Sequence, residues 1–261
     1  QSKSKAAPGL SSASASAPAS SFMLSRYAQS LLDQAPAPST LDILHLLNFG
    51  AAPSELLPVK QWRQCSLELW RQFDWSELDY EFTPGHHTEL QRVLVDYLLR
   101  SRGLSCSREQ ISIFGSATTQ LWPLSKLLLD PGDHVAVEQP GYPFARAVFT
   151  RLGCNIMPVS IDEEGLDVSL LDKLSPVPKL VYVTPSHDHT GVTLSMRRRE
   201  HLIWLAKKKN ILIIEDDYDR EFDSKYSRLP TLFNMCHSGQ VIYISTFWKT
   251  LYPLITCGYF V

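Results

Sequence analysis

The chain has 261 residues, of which 44% are hydrophobic, enough for a sizeable core, and its formal net charge is -2. With 25 basic and 27 acidic residues, the chain lacks the excess of positive charge that would bind nucleic acid. No apolar run reaches the roughly 18 residues of a membrane helix. The five cysteines match no disulfide framework or zinc pattern, and no secretory signal opens the chain. We therefore predict a protein of the reducing cytoplasm.

The first 21 residues predict a flexible linker. Seventeen of them are Ser, Ala, Pro or Gly, so the segment has little apolar surface to bury. A disordered tail fits this composition equally well. Because the chain starts at Gln1 rather than at Met, we expect it to be a piece of a longer protein.

Helices are predicted to dominate residues 22–105. FMLSRYAQSLLDQ and VKQWRQCSLELWRQF carry apolar residues at helical spacing, and HHTELQRVLVDYLLRSRG ends at Gly103, a typical C-cap. Residues 106–261 then alternate between strands and helices. The seven predicted strands are ISIFG, HVAVEQ, NIMPVS, KLVYVT, ILIIED, VIYIST and TCGYFV. This alternation predicts an α/β fold, a three-layer sandwich around a mostly parallel seven-stranded sheet.

Ligands in such sheets bind at the carboxyl ends of the strands. After the first strand, small and hydroxyl residues from Gly115 to Thr119 lead into a helix whose N–H groups could receive a phosphate. After the second, a Pro-Gly turn presents Tyr142, which could stack on a planar ligand. Taken singly, each feature is more typical of an ordinary capped helix and a packed turn tyrosine.

Charged groups follow the later strands. Glu215, Asp216 and Asp217 form a run of carboxylates that needs a cation, either a metal or a protonated ring nitrogen. Lys249 lies near aromatic residues after the sixth strand and could become a nucleophilic amine. A phosphate site, a stacking ring, an acid and an amine are together the parts that pyridoxal phosphate (PLP) needs.

The chain resembles the aminotransferase-like, fold type I domain of MocR-type transcription regulators in the GntR superfamily. The segments that carry the resemblance span roughly residues 24–261 and are YEFTPGHHTEL, GDHVAVEQPGY, VSIDEEGL, VYVTPSH, LIIEDDYDREF and ISTFWKTLYPLITCGYF. The resemblance implies a PLP-binding large domain at 106–261, preceded by its helical segment at 22–105. It also implies a homodimer with an amino acid or vitamin B6-related effector. DNA would be bound only through a winged-helix domain joined by the linker at 1–21.

The same resemblance implies roles for individual residues. Lys249 would be the Schiff-base lysine, and Asp216 would face the ring nitrogen, with Asp217 as the alternative. Tyr218 would bind the ring hydroxyl, Tyr142 would stack on the ring, and His187 would lie near it. The implied phosphate site consists of Gly115, Ser116, Ala117, Ser245 and Thr246.

Four departures from the family pattern predict weak PLP binding. Trp248 replaces a serine, Thr256 replaces an arginine, Gln91 replaces another arginine, and the loop TPSHDHTG is one residue short. Loss of a charge-assisted contact to the phosphate lowers the binding free energy of the cofactor by about 1.5–3 kcal/mol. The C-terminal small domain of fold type I proteins is also missing from this sequence, so we expect transamination to be poor or absent.

Three alternatives to a regulator's sensing domain remain. One is a working class I/II aminotransferase, and another is a remnant without function. The third is a metal-dependent hydrolase whose ligands would be His187, His189, Glu215, Asp216 and Asp217, although short motifs of this kind are common by chance. The run Arg197-Arg198-Arg199 is interpreted as a solvated helix face rather than a nucleic-acid contact.

Overall fold

The structure, a computed structural model, describes residues 54–73, 88–115, 117–187, 190–218 and 229–261 together with Ser25 and Ala28, the side chains of residues 117–119 excepted. The helices and strands named below belong to the unit of residues 47–261. The predicted linker lies outside the described residues, and so does the predicted helix FMLSRYAQSLLDQ apart from Ser25 and Ala28. Within the described part of the chain, no helix is both long and apolar enough to cross a bilayer.

Two of the predicted helices come first in the described structure. α1 spans Val59–Gln72 and α2 spans Thr88–Arg102. α2 ends as predicted, since Gly103 adopts a left-handed φ of 60° and donates its N–H to the carbonyl of Leu99 at 3.0 Å. α1 ends one residue before the predicted segment does. It has no buried residue, and its apolar side chains are exposed except that of Trp62, which is half-buried.

Strands and helices alternate through the rest of the chain. The further helices are α3 (Ala117–Leu128), α4 (Pro143–Arg151), α5 (Val168–Asp172), α6 (Met196–Lys209), α7 (Leu232–Met235) and α8 (Trp248–Leu251), with 3-10 turns at Ser54–Leu56 and Arg108–Gln110. The strands are β1 (Ser112–Phe114), β2 (His134–Gln139), β3 (Asn155–Asp162), β4 (Gly165–Leu166), β5 (Leu180–Val183), β6 (Leu212–Asp216), β7 (Val241–Thr246) and β8 (Gly258–Phe260).

The strands form one mostly parallel sheet in the order β1-β8-β7-β6-β5-β2-β3-β4. The pairs from β7 through β6, β5 and β2 to β3 are parallel, whereas β8 is antiparallel to both β7 and β1. All seven predicted strands are confirmed, but the sheet has eight. The missed strand, β4, has two residues and pairs antiparallel with β3. So short a strand produces no alternating hydrophobic pattern, which is why the sequence did not predict it.

Helices cover both faces of the sheet, which confirms the predicted three layers. Because alternate side chains of a strand point to opposite faces, each strand contributes to two cores. On one face Val181 and Ile213 pack with residues of α5, α6 and α7, and on the other Val135 and Ile214 pack with α3 and α4. A third cluster joins α2 to the sheet through Leu94, Leu98, Leu104, Ile111, Tyr243, Tyr259 and Val261.

Candidate functional site

The candidate site lies at the edge where the parallel strands end. β2, β5, β6 and β7 run in the same direction, so the segments that follow them meet at one edge of the sheet. These segments carry Tyr142, His187, Tyr218 and Lys249. The start of α3 belongs to the same edge, because β1 runs parallel to β7 across the antiparallel β8.

Asp216 is the last residue of β6 and only 5% exposed. The hydroxyl of Tyr182, from the neighbouring strand β5, donates a hydrogen bond to Asp216 Oδ2. Burial and then the Asp216 charge raise the pKa of Tyr182 well above its usual value, so the phenol stays protonated and remains a donor. The buried carboxylate therefore has a fixed hydrogen-bond partner.

Asp217 points to the opposite face of the sheet. Its Oδ2 accepts a hydrogen bond from the Tyr243 hydroxyl at 2.7 Å and lies 3.1 Å from Arg102 Nε, an ion pair in which both side chains are 3% exposed. This buried ion pair joins α2 to the sheet, so Asp217 has a structural role in their packing. The alternation of β6 thus leaves Asp216 as the carboxylate on the face where Tyr142 and Tyr182 pack.

Glu215 has a third and separate set of partners. Its two carboxylate oxygens accept the backbone N–H groups of Leu232 and Phe233 at 2.8 and 2.9 Å, at the start of α7. Arg199 Nη1 lies 3.8 Å away. Burial, and then the charge of Asp217, raise the pKa of Glu215 to about 7. The three consecutive carboxylates therefore do not converge on one cation, as their spacing had suggested.

The metal-site alternative rested on the same residues. Within the described residues, no group of three His, Cys, Asp or Glu side chains could hold a metal ion. The physical reason is the strand geometry, which sends Glu215 and Asp217 to one face and Asp216 to the other. His189 lies outside the described residues.

Glu138, to which the sequence analysis assigned no role, is a buried acid beside the site. It ends the apolar run of β2 and is 4% exposed. Its Oε2 accepts from the backbone N–H of Thr184 at 3.0 Å and from the Thr184 hydroxyl at 2.5 Å. Burial raises the pKa of Glu138 to about 8, and the nearby charge of Asp216 acts in the same direction. An acidic residue inside an otherwise apolar strand was the signal in the sequence.

His187 joins two of the loops at this edge. Its Nε2 lies 2.9 Å from the carbonyl oxygen of Pro140, which can only accept, so Nε2 carries the proton of this bond. Nδ1 lies 2.9 Å from the Thr190 hydroxyl, which can donate to it. Both ring nitrogens of this buried histidine thus have partners within the chain.

Lys249 and Tyr218 lie together at this edge of the sheet. Lys249 is half-buried in α8, and its Nζ is 4.4 Å from the centroid of the Tyr218 ring. A cation over the face of an aromatic ring is attracted by the quadrupole of the ring. The contact places the amine beside the residue that follows the carboxylates of β6.

The phosphate end of the predicted site is only partly described. α3 begins at Ala117, two residues after Gly115, and Ser116 between them lies outside the described residues. Ser245 donates its hydroxyl to the carbonyl of Asp217 at 2.7 Å, and Thr246 donates its hydroxyl to the carbonyl of Cys257 at 3.1 Å. Both hydroxyl protons already have acceptors in the chain.

Tyr142 caps a cavity of about 310 Å³ at the end of β2. The residue is half-buried at the start of α4, and its ring centroid is 6.2 Å from that of Phe144. Tyr182 and Glu138 line the same cavity, and so do Arg146 and Gln139, which share a 2.9 Å hydrogen bond. The stacking candidate and side chains of β2 and β5 therefore face a common space.

The run of three arginines is mostly buried, which corrects the sequence interpretation. Arg197 is exposed as predicted, but Arg198 donates to the carbonyl of Gly165 at 2.6 Å and Arg199 donates to that of Leu194 at 2.9 Å. The guanidinium groups donate to backbone carbonyls outside α6, which local helix periodicity could not indicate.

Comparison with known proteins agrees with this geometry. The family of aminotransferase class I and II matches residues 46–250. The uncharacterized HTH-type transcriptional regulator YdeL of Bacillus subtilis (strain 168) is 34% identical over 218 residues, which cover 82% of this chain and 46% of the regulator. The probable rhizopine catabolism regulatory protein MocR of Rhizobium meliloti is 33% identical over 183 residues, covering 70% of this chain and 36% of that protein.

Among solved structures, the kynurenine aminotransferase of Pyrococcus horikoshii in complex with PMP superposes with a TM-score of 0.75 at 26% identity, covering 91% of this chain and 61% of that one. The chain spans less than half the length of these two curated relatives. The resemblance to MocR-type regulators is confirmed, and it covers their aminotransferase-like region. The chain belongs to the aminotransferase class I and II family.

Proposed function

We propose that the chain is a PLP-binding, aminotransferase-like effector domain of a MocR-like transcription regulator. Two observations carry the proposal: the buried carboxylate of Asp216 ends β6, and the Lys249 amine lies 4.4 Å over the ring of Tyr218, which follows β6. The opposite orientation of Asp217 supports Asp216 as the acid of this site. The similarity to regulators over most of the chain supports the biological role.

The residues present fit the chemistry of PLP. Asp216 would keep the ring nitrogen protonated, Tyr218 would hydrogen-bond the ring hydroxyl, and Tyr142 would stack on the ring. Lys249 would hold the cofactor covalently, and the N–H groups at the start of α3 would receive the phosphate. When bound, PLP supplies an electron sink for bonds next to the amino group.

We propose that binding is weak. Thr256 is an exposed neutral residue where the family carries an arginine, so a charge-assisted phosphate contact is lost. The hydroxyl groups of Ser245 and Thr246 donate hydrogen bonds to backbone carbonyls, so a phosphate would have to compete with those carbonyls for them. The backbone N–H groups of α3 would then supply most of the phosphate contact.

The Lys249→Ala substitution tests the cofactor proposal. Titration of the unsubstituted chain with PLP should produce a visible absorbance band that saturates, and the variant should lack it. Lys208→Ala is the matched control, because Lys208 lies 4.5 Å over the Trp204 ring but belongs to the exposed part of α6. A band that persists in Lys249→Ala would remove Lys249 from the site and count against the proposal.

A class I/II aminotransferase is the second candidate, favoured by the structural similarity to the Pyrococcus enzyme. It predicts turnover of an amino acid with a 2-oxo acid acceptor, whereas an effector domain predicts binding without turnover. Measuring oxo-acid formation at saturating PLP separates the two. Turnover that depends on Lys249 would replace the effector proposal.

Three partner assignments belong to the proposal as well. We propose a homodimer, an amino acid or vitamin B6-related effector, and DNA binding through a separate N-terminal winged-helix domain. The match to HTH-type regulators over about half of their length supports the last of these.

The five cysteines carry free thiols, which supports a cytoplasmic location.

A further inference from the structure

The contact between Tyr182 and Asp216 has a counterpart one residue along the chain. Tyr182 on β5 donates its hydroxyl to Asp216, and Tyr243 on β7 donates its hydroxyl to Asp217 at 2.7 Å. Both tyrosines are fully buried, and the two carboxylates are consecutive at the end of β6. The two pairs differ in the face of the sheet they occupy, because only Asp216 lies on the face of Tyr142.

The position of Tyr182 follows from the register of the sheet. It pairs with Ile214 on β6, two residues before Asp216, so both side chains point to the same face. Its ring packs against Phe149 with the centroids 6.0 Å apart, which holds the hydroxyl in place without any contribution from the carboxylate. The donor is therefore fixed by the core rather than by the site.

We propose that Tyr182 is a positioning residue for the cofactor: its hydroxyl orients the Asp216 carboxylate and keeps it ionised, so that Asp216 can hold the proton on the ring nitrogen. The inference rests on the proposed function, since it concerns PLP bound at this site. A hydrogen bond donated to a carboxylate favours its charged form, which counteracts the effect of burial on Asp216.

The other groups around Tyr182 support this role. Glu138 and Tyr142 are the further titratable groups whose charges act on Tyr182. Because burial raises the pKa of Glu138 to about 8, that acid is mostly neutral near pH 7 and adds little negative charge beside Asp216. Among the described residues, Tyr182 therefore donates a hydrogen bond that stabilises the charge of the Asp216 carboxylate.

Removal of the hydroxyl should act through the charge of the ring. Without the Tyr182 bond, the Asp216 carboxylate would be more basic and would be less able to keep a ring nitrogen protonated. With less positive charge nearby, the Lys249 nitrogen that would hold the cofactor would keep its own proton to higher pH. The affinity for PLP should fall at the same time, because a charge-assisted hydrogen bond is weakened.

The experiment compares Tyr182→Phe with Tyr243→Phe in PLP titrations and in the pH dependence of the visible absorbance of the bound cofactor. We expect Tyr182→Phe to weaken binding about tenfold and to raise the midpoint of the pH titration by about one unit. Tyr243→Phe removes the same atom from the neighbouring pair and should leave the midpoint unchanged. Tyr182→Met, which also lacks the hydroxyl, provides a second variant if Tyr182→Phe folds poorly.

The outcomes separate this inference from the proposed function. A Lys249-dependent band whose affinity and midpoint are unchanged in Tyr182→Phe overturns the role of Tyr182 and leaves PLP binding intact. An equal shift in Tyr243→Phe also overturns it, because the effect would then come from general loosening of the core. Absence of any band in the unsubstituted chain overturns both.

Discussion

At the scale of single residues, the carboxylates around this site have distinct partners. Asp216 is bound by a tyrosine hydroxyl, Asp217 by an arginine and a tyrosine, and Glu215 by two backbone N–H groups. Glu138 is bound by the N–H and the hydroxyl of one threonine, and its burial outweighs these hydrogen bonds in setting its pKa. An acid buried in this way favours its protonated form.

The protonation of Glu138 predicts a pH-dependent stability. In the folded chain its proton is held up to about pH 8, whereas its ordinary pKa is 4.5. Between these values the folded state binds the extra proton, so the contribution of Glu138 to the free energy of unfolding falls as the pH rises. Above about pH 8 that contribution is fully lost.

We therefore predict that Glu138→Gln gains stability relative to the unsubstituted chain between about pH 5 and about pH 9, by on the order of 2–4 kcal/mol. Denaturant unfolding at several pH values measures the difference. Glu215, with its pKa raised to about 7, should still lower the stability of both proteins over part of this range. Parallel stability curves for the two proteins would contradict the buried-acid assignment of Glu138.

At the scale of elements, the turn between β2 and α4 decides where Tyr142 lies. The chain must turn sharply at Gly141, because a Cβ built there would lie 2.3 Å from the carbonyl oxygen of Glu138. His187 binds the same turn through the carbonyl of Pro140. The Pro-Gly pair visible in the sequence thus fixes an aromatic residue at the sheet edge by steric exclusion and by one hydrogen bond.

We predict that Gly141→Ala lowers the free energy of unfolding by about 1–3 kcal/mol, since backbone atoms would have to move to accommodate the methyl group. It should also weaken PLP binding, because the shift displaces Tyr142. Gly115→Ala serves as the stability control, as a methyl group added there would meet open space and the φ of Gly115 is not left-handed. Equal unfolding energies for the two variants would show that the turn adapts without strain.

At the scale of the whole molecule, the sheet is buried on both faces while the outer helices retain apolar surface. On α1, Leu67, Leu69 and Trp70 are 48%, 60% and 60% exposed. On α2, Val93 and Leu99 are also exposed. Exposed apolar surface on outer helices is typical of surfaces that meet another protein. The proposed homodimer would account for them.

We predict that the chain self-associates and that the double substitution Leu69→Glu and Trp70→Glu raises the dissociation constant tenfold or more, since burial of each large apolar side chain contributes about 1.5–3 kcal/mol. Sedimentation velocity over a range of protein concentrations measures the effect. Gln61→Glu adds a charge at an exposed polar position of the same helix and should change little. A monomer at all concentrations, or a double variant that associates normally, would refute the dimer.

Sequence alone determined which segments of the alternating region are strands and which are the longer helices, in their order along the chain. Alternation and helical spacing of apolar residues are local properties, which is why they could be recognised. It also determined which kinds of residue follow the strands, and Gly103 and the Pro-Gly turn acted as expected. It missed β4, which is too short for a pattern. It also misread Arg198 and Arg199, which donate to the carbonyls of Gly165 and Pro230, more than 30 positions away in the chain.

Only the tertiary structure decided the partner of each buried polar group. Arg102 and Tyr243 are 141 positions apart in the chain, yet both contact Asp217 and so separate it from Asp216. Tyr182 reaches Asp216 only because β5 and β6 are paired in one particular register. The physical reason is that desolvated charges must be matched by whatever groups the packed strands bring beside them, and this pairing is not encoded in the spacing of neighbouring residues.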